Sequence, residues 1–242
     1  MLDADIEKCF DRISHDDLLA KLHAPQPVMR LIRDWLKAGI LEDGELLFPE
    51  AGTPQGGVLS PLLANIALHG FETFVSRQRK HRLAVIRYAD DFVILCDDLD
   101  VLLEARSRAE SWLAEMGLRL KAEKTHITHT LQPYNRHVGF DFLGFHIQQY
   151  PVGKYRDHKR HAGYPGLTAR AGKTLITPSR KAAQRHLREL KATIRHYRGA
   201  SQAALIAALN PRIRGWALYY QSSVAAQLFN KLDTRLLQHI DK

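Results

Sequence analysis

At 242 residues and 45% hydrophobic, the chain is long enough to bury a full core in one or two domains. Its two cysteines, Cys9 and Cys96, lack C-x-x-C spacing, which argues against a disulfide framework or a zinc site. No apolar run reaches bilayer length and no signal-peptide pattern follows Met1, so the sequence predicts a cytoplasmic protein without a membrane partner.

Residues 1–6 read as a strand, with Asp3 and Asp5 on one face because the side-chain period is 2. Ser14 is an N-cap candidate for a helix through Leu22, and a second helix is expected from Pro27 to Lys37, stopped by Gly39. Residues 40–53 suggest a hairpin turning at Glu42-Asp43-Gly44. A Gly-rich loop, Gly52-Thr53-Pro54-Gln55-Gly56-Gly57, then leads into a long apolar helix from near Pro61 toward Arg77. Such a loop is a ready anion site, although most are only turns.

The next stretch, Val85-Ile86-Arg87-Tyr88-Ala89-Asp90-Asp91-Phe92-Val93-Ile94-Leu95-Cys96, sets two β-branched and aromatic runs around adjacent carboxylates. It reads as a hairpin with Asp90 and Asp91 at or beside its turn. Two neighbouring carboxylates repel, so one pKa rises unless a cation neutralises them, and a hard divalent ion suits that role. Taken alone, the stretch fits a solvated acidic turn equally well.

Asp98 or Asp100 caps a predicted helix to Met116, with Leu102, Ala105, Ala109, Trp112 and Met116 as its core stripe and Gly117 as its stop. Residues 118–130 read as loop then strand. His126 and His129 would point to opposite faces of that strand and are taken as non-ligands. Phe140 to Ile147 is β-rich and broken at Gly144.

Composition divides the chain into a first domain at 1–150, a basic boundary at 151–176 and a helical region at 177–242. Residues 1–150 carry 17 Lys+Arg against 22 Asp+Glu, whereas residues 151–200 carry 13 against 2. An acidic body joined to a basic segment suits metal on the one and polyanion on the other; a solvated basic linker is the plainer alternative. Thr177-Pro178 is read as a helix start, with Ala183, Leu187, Leu190, Ile194 and Tyr197 packing and Lys181, Arg188, Lys191, Arg195 and Arg198 free for phosphates. Further helices are expected from Pro211, capped by Asn210, to Gln221, and from Ser223 to His239.

The Tyr88-Ala89-Asp90-Asp91 box resembles the catalytic hairpin of reverse transcriptases. Asp5-Ile6-Glu7-Lys8-Cys9-Phe10-Asp11 resembles their first catalytic strand, and the residues from Gly52 to Ile66 resemble the bacterial group II intron type. Gly117-Leu118 through Lys124-Thr125, Phe142-Leu143-Gly144-Phe145, and Leu209 through Tyr220 resemble the following blocks, the last being the start of the maturase, or thumb, region.

The resemblance implies an α+β fold: a polymerase palm, an antiparallel sheet with packed helices, followed by an α-helical thumb/maturase region. It implies RNA-directed DNA polymerase activity by two-metal transfer from dNTPs to a primer 3′-OH, with Mg²⁺ or Mn²⁺ held by Asp5, Asp90 and Asp91. Lys124 would serve the leaving pyrophosphate. Ile6, Phe10, Pro54, Gln55, Gly56, Tyr88 and Ala89 would line the substrate site, Phe10 excluding a 2′-OH. Leu143 and Gly144 would grip the primer end. The implied partners are template RNA, intron RNA, a DNA primer and dNTPs. By the family's order the chain opens at the first catalytic strand, without the preceding fingers, and stops soon after the maturase region begins. The expectation is therefore a fragment, of little activity by itself; the alternatives are an RNA-binding maturase-like module and a truncated relic without polymerase activity.

Overall fold

The computed structural model describes residues 1–38, 40–42, 45–47, 51–53, 57–77, 82–134, 137–151 and 173–240. It divides into two units, Met1–Ile127 and Thr128–Lys242.

The first unit is built on a four-stranded antiparallel sheet. Strand β1 (Leu2–Asp5) alternates as its sequence demands: Leu2 and Ala4 are buried, while Asp3 and Asp5 take the opposite face. Strands β2 (Ile40–Glu42) and β3 (Glu45–Leu47) form the expected separate hairpin; its turn residues Asp43 and Gly44 lie outside the described residues. Strands β4 (Leu83–Tyr88) and β5 (Asp91–Cys96) pair from Leu83↔Cys96 to Tyr88↔Asp91. Together with β6 (His126–Ile127) they give the order β4-β5-β1-β6.

Helices α1 (Cys9–Arg12), α2 (His15–Lys21), α3 (Gln26–Lys37), α4 (Ser60–Ala67), α5 (Phe71–Val75) and α6 (Leu99–Glu115) supply the remaining core. Phe71 is its hub, edge-on to Phe92 at 5.0 Å and to Trp112 at 5.3 Å, and fully buried. Ser14 caps α2 by accepting from the Asp17 amide, and Asp98 caps α6 by accepting from Val101. The α6 stripe is buried as its spacing requires. Lys21 stacks over Trp112 at 4.1 Å and donates to the Ala67 carbonyl at 2.7 Å, satisfying the end of α4.

The sequence predicts one helix from Pro61 to Arg77; instead two form, because the chain turns at Gly70 with φ 91°. The short α1 is unforeseen. Four residues are too few for a periodic signal.

The second unit is organised on a three-stranded sheet, β7 (Phe140–Phe142), β8 (Phe145–Tyr150) and β9 (Lys173–Pro178), in that order. Helices α7 (Arg180–His196), α8 (Gln202–Tyr220) and α9 (Ala226–Ile240) complete it. One aromatic cluster joins Phe145, Trp216, Tyr220 and Phe229 around Ala182 and Ala225; another core sets Leu190 and Ile194 against Leu209.

Three readings are corrected in this unit. Thr177-Pro178 does not start a helix: both residues end β9, paired to His146 and Phe145, and Ser179 is the cap, accepting from the Ala182 amide at 3.2 Å. An edge strand tolerates the proline, which has no N–H to give. Asn210-Pro211 lies inside α8, whose cap is Ser201. An interior proline costs about 3 kcal/mol, which the Ala- and Leu-rich turns before it and the Leu209 and Ile213 packing offset. The last helix begins at Ala226, three residues beyond Ser223.

The units part at 127/128, and β8 and β9 pair from either side of the basic segment. Among the described residues no helix is long and apolar enough to cross a membrane.

Candidate active site

Strand register places the acidic residues. Asp5, the last residue of β1, is the Cα partner of Asp91, the first of β5. Asp90 sits beside them in the two-residue turn Ala89-Asp90 between β4 and β5. The Ile6 amide donates to the Asp90 carbonyl at 3.2 Å, and the Lys121 amide to the Asp5 carbonyl at 2.8 Å, so backbone bonds fix both ends of the cluster.

Asp91 carries the electrostatic signature of this crowding. Desolvation, its hydrogen bond with Asp5 and the charges of Asp5 and Asp90 push its pKa up to about 6. Lys124, on a 3-10 turn at Ala122–Lys124, approaches Asp5 Oδ2 at 2.6 Å. That bond, with the surrounding carboxylates, raises the lysine's own pKa. Cys9 lies beneath, buried, its thiol pushed up to about 12 by desolvation and then by Asp90. It is therefore no nucleophile.

Among the described residues, no three His, Cys, Asp or Glu side chains converge in a group that could hold a metal ion. The donor chemistry nonetheless suits one: hard carboxylate oxygens from Asp5 and Asp91, with Asp90 adding its charge, are balanced here by one ammonium.

The hairpin turn is held from outside. Ala89 adopts φ 54°, which a residue with a Cβ rarely takes. Arg87 donates to the Ala89 carbonyl at 3.0 Å, to Asn65 Oδ1 on α4 at 3.1 Å and to Glu72 Oε1 on α5 at 2.7 Å. Its side chain is 11% exposed. The sequence reading missed Arg87; its placement one residue before the box, as a lone cation in an apolar strand, was the available signal.

Phe10 lies on α1, half-buried against the main core. The segment Gly52-Thr53 clamps the backbone that carries it. Thr53 donates its amide to the Phe10 carbonyl at 2.5 Å, Gly52 donates to Ile13 at 2.8 Å, and His15 Nε2 is 2.6 Å from the Gly52 carbonyl. Pro54, Gln55 and Gly56 lie outside the described residues. The Ile6 side chain is buried, so only its backbone faces the cluster, whereas Tyr88 is 64% exposed at the end of β4. Glu7, beside them, is bound by Arg119 through two nitrogens, one at 3.1 Å, and its pKa is held down first by that hydrogen bond.

Leu143 and Gly144 belong to the second unit, as the two-residue turn between β7 and β8. Next to them a cleft of about 410 Å³ is lined by Asp141, Gly144, Ser179, Lys181, Arg185 and Arg188. Asp141 lies 2.7 Å from His146, and Lys181, Arg185 and Arg188 outnumber it in the cleft. Lys181, Arg188, Arg195 and Arg198 are exposed and Lys191 is half-buried. Arg185 was not singled out from sequence, although it follows Lys181 by one helical turn. His129 turns out to be a turn device: its Nδ1 accepts the Leu131 and Gln132 amides, both at 3.0 Å.

An antiparallel sheet with packed helices and paired carboxylates on a hairpin, opposite an acidic strand end, defines a nucleic-acid polymerase palm. Residues 1–147 match the family model described as reverse transcriptase (RNA-dependent DNA polymerase). Residues 183–241 match that of the group II intron maturase-specific domain. Group II intron-encoded protein LtrA of Lactococcus lactis subsp. cremoris is 46% identical over 77 residues, covering 31% of this chain and 13% of that protein. An uncharacterized 91 kDa protein in the cob intron of Schizosaccharomyces pombe is 43% identical over 77 residues, covering 31% of this chain and 10% of that one. Among solved structures, telomerase from Candida albicans, in complex with a TWJ fragment of telomeric RNA, aligns over 99% of this chain and 44% of its own, with a TM-score of 0.50 and 12% identity. That likeness shows the fold alone. The chain belongs to the reverse transcriptase family, in its group II intron reverse transcriptase/maturase branch. Its matched stretches span a small part of the two curated relatives.

Proposed function

We propose that the chain carries the catalytic palm and thumb of a cytoplasmic RNA-directed DNA polymerase, with Asp5, Asp90 and Asp91 as its ligands for Mg²⁺ or Mn²⁺. The observation that supports this most directly is the Asp5↔Asp91 register, with Asp91 pushed up to about 6. A fold that sets like charges face to face spends stability on a site, and a divalent cation relieves that repulsion.

Divalent ions, when bound, supply Lewis acidity at the attacking and leaving oxygens of an in-line displacement. The chain's own residues do the rest. The hairpin fixes Asp90 and Asp91 against β1, and Arg87 holds their turn. Phe10, on a clamped backbone, stands as the barrier to a ribose 2′-OH. Lys124 is placed to donate a proton or a charge to the departing pyrophosphate, once its ammonium leaves Asp5. In the second unit, Leu143 and Gly144 meet the primer end, and Lys181, Arg185 and Arg188 meet backbone phosphates of RNA or of the RNA–DNA hybrid. Arg185 and Arg188, within the stretch matching the maturase-specific domain, support a role in holding intron RNA.

Thermal melting tests the metal site. Millimolar Mg²⁺ or Mn²⁺ should raise Tm, because a ligand bound only by the folded state stabilises it. Asp90→Asn/Asp91→Asn should abolish most of that rise; equal shifts in both proteins would overturn the site. Primer extension on an RNA template tests the reaction, and incorporation that survives Asp91→Ala would overturn that.

A further inference from the structure

Both residues of the turn between β7 and β8 are left-handed, Leu143 at φ 50° and Gly144 at φ 80°. Two such residues suit the twist of a tight hairpin. Glycine takes this conformation freely and leucine does not. Something must hold Leu143 there.

Three donors converge on the turn's two carbonyls. Tyr219 Oη donates to Leu143 at 2.8 Å and Tyr220 Oη to Gly144 at 3.1 Å. The Ser179 amide, at the start of α7, also donates to Gly144, at 2.8 Å. Phe145 fills the angle between the two tyrosines, stacked on Tyr219 at 5.2 Å and edge-on to Tyr220 at 4.9 Å. The fit is close: a Cβ on Gly144 would lie 2.6 Å from Tyr220 Oη. Tyr220 is buried and Tyr219 is 53% exposed. Burial alone asks for a ring and not for a hydroxyl. Here two consecutive hydroxyls are both committed to one turn.

We infer that Tyr219 and Tyr220 are positioning residues for polymerisation, holding the Leu143–Gly144 turn in the shape that meets the primer. This rests on the assignment of that turn to the primer made above. It gives the stretch that matches the maturase-specific domain a part in DNA synthesis, through two residues that the sequence reading had only as family pattern.

The test uses hydroxyl deletions, Tyr219→Phe and Tyr220→Phe, which keep both rings and their packing. Two readouts are taken on the full chain: exchange of the Ser179 amide by NMR, and anisotropy with a labelled RNA–DNA hybrid bearing a recessed DNA 3′ end, against single-stranded RNA of equal length. Tyr220→Phe should speed Ser179 exchange roughly tenfold, the loss expected for one net hydrogen bond. Each variant should weaken hybrid binding several-fold and leave single-stranded RNA unchanged. Gly144→Ala should weaken hybrid binding further, and adding Tyr220→Phe should restore part of it, because the next ring atom is 3.7 Å away. Unchanged exchange in Tyr220→Phe would overturn the hold itself. Faster exchange with unchanged hybrid affinity would instead overturn the primer assignment, and with it the role in synthesis. Equal weakening for both nucleic acids would reduce the effect to fold stability and also overturn the inference.

Discussion

Asp91 should be visible in solution without any assay of synthesis. Its folded pKa of about 6 lies above the ordinary 3.8, so the folded state holds this proton more tightly than the unfolded state does. The stability it contributes is fully present below about pH 4 and is lost as pH rises through 6. In divalent-free buffer, wild type should therefore lose Tm across that window relative to Asp91→Asn, and Mg²⁺ should shrink the difference. A flat difference from pH 4 to 7 would remove the mutual repulsion. Lys124 is the second residue to probe. Its ammonium competes with any cation for Asp5, so Lys124→Met should tighten Mg²⁺ binding, read by the Mg²⁺ midpoint of the Tm shift, while slowing primer extension. Looser Mg²⁺ binding in that variant would make the lysine a supporter of the site instead of its stand-in charge. In the sequence Asp90 and Asp91 stand out as a pair flanked by apolar strand residues, which alone fits a solvated acidic turn equally well, and the role of Lys124 comes only with the family resemblance. Arg87 was not legible, since its three partners come from two helices and a turn that only the fold assembles.

Among the elements, the clamp at Gly52 is the most sensitive. A Cβ there would lie 2.5 to 2.6 Å from backbone atoms of Phe10 and Asp11, and φ is 89°. Gly52→Ala should cost about 3 kcal/mol, in the range for overpacking combined with backbone strain, and displace α1. Urea denaturation checks the first, and the dNTP-to-rNTP selectivity of primer extension the second. Gly70→Ala, in open space, should cost less, because only its φ of 91° resists. Elements read well where their signals were local: Ser14 and Asp98 as caps, the α6 stripe, the hairpin around Asp90. They read poorly where distant pairing decided the outcome. β9 forms because Leu175 and Thr177 meet Gln148 and His146, which no local pattern shows. Pro211, a helix starter by rule, was overruled by the turns before it and by packing on α7.

At the scale of the whole molecule, charge is divided by position along the chain. The first 150 residues are net acidic, and residues 151–200 carry 13 Lys+Arg against 2 Asp+Glu. RNA affinity should therefore fall steeply with salt, and reversing Arg188, Lys191 and Arg195 to Glu should flatten the dependence by about 0.7 per lost phosphate contact. A titration of log K against log salt measures this directly, and an unaltered slope would place the phosphates elsewhere. The charge split was legible from composition, whereas the pairing of β8 with β9, which draws the flanks of the basic segment into one sheet, was not.

That pairing also makes a port in the chain. Tyr150 and Lys173 are Cα partners, so the two ends of the intervening stretch are fixed side by side whatever lies between them. A foreign domain with adjacent termini, spliced into that stretch, would hang from two neighbouring strand ends without pulling them apart. This junction is thus where the chain could acquire cargo, such as a fluorescent reporter or an RNA-tethering module, and keep the β8–β9 pairing.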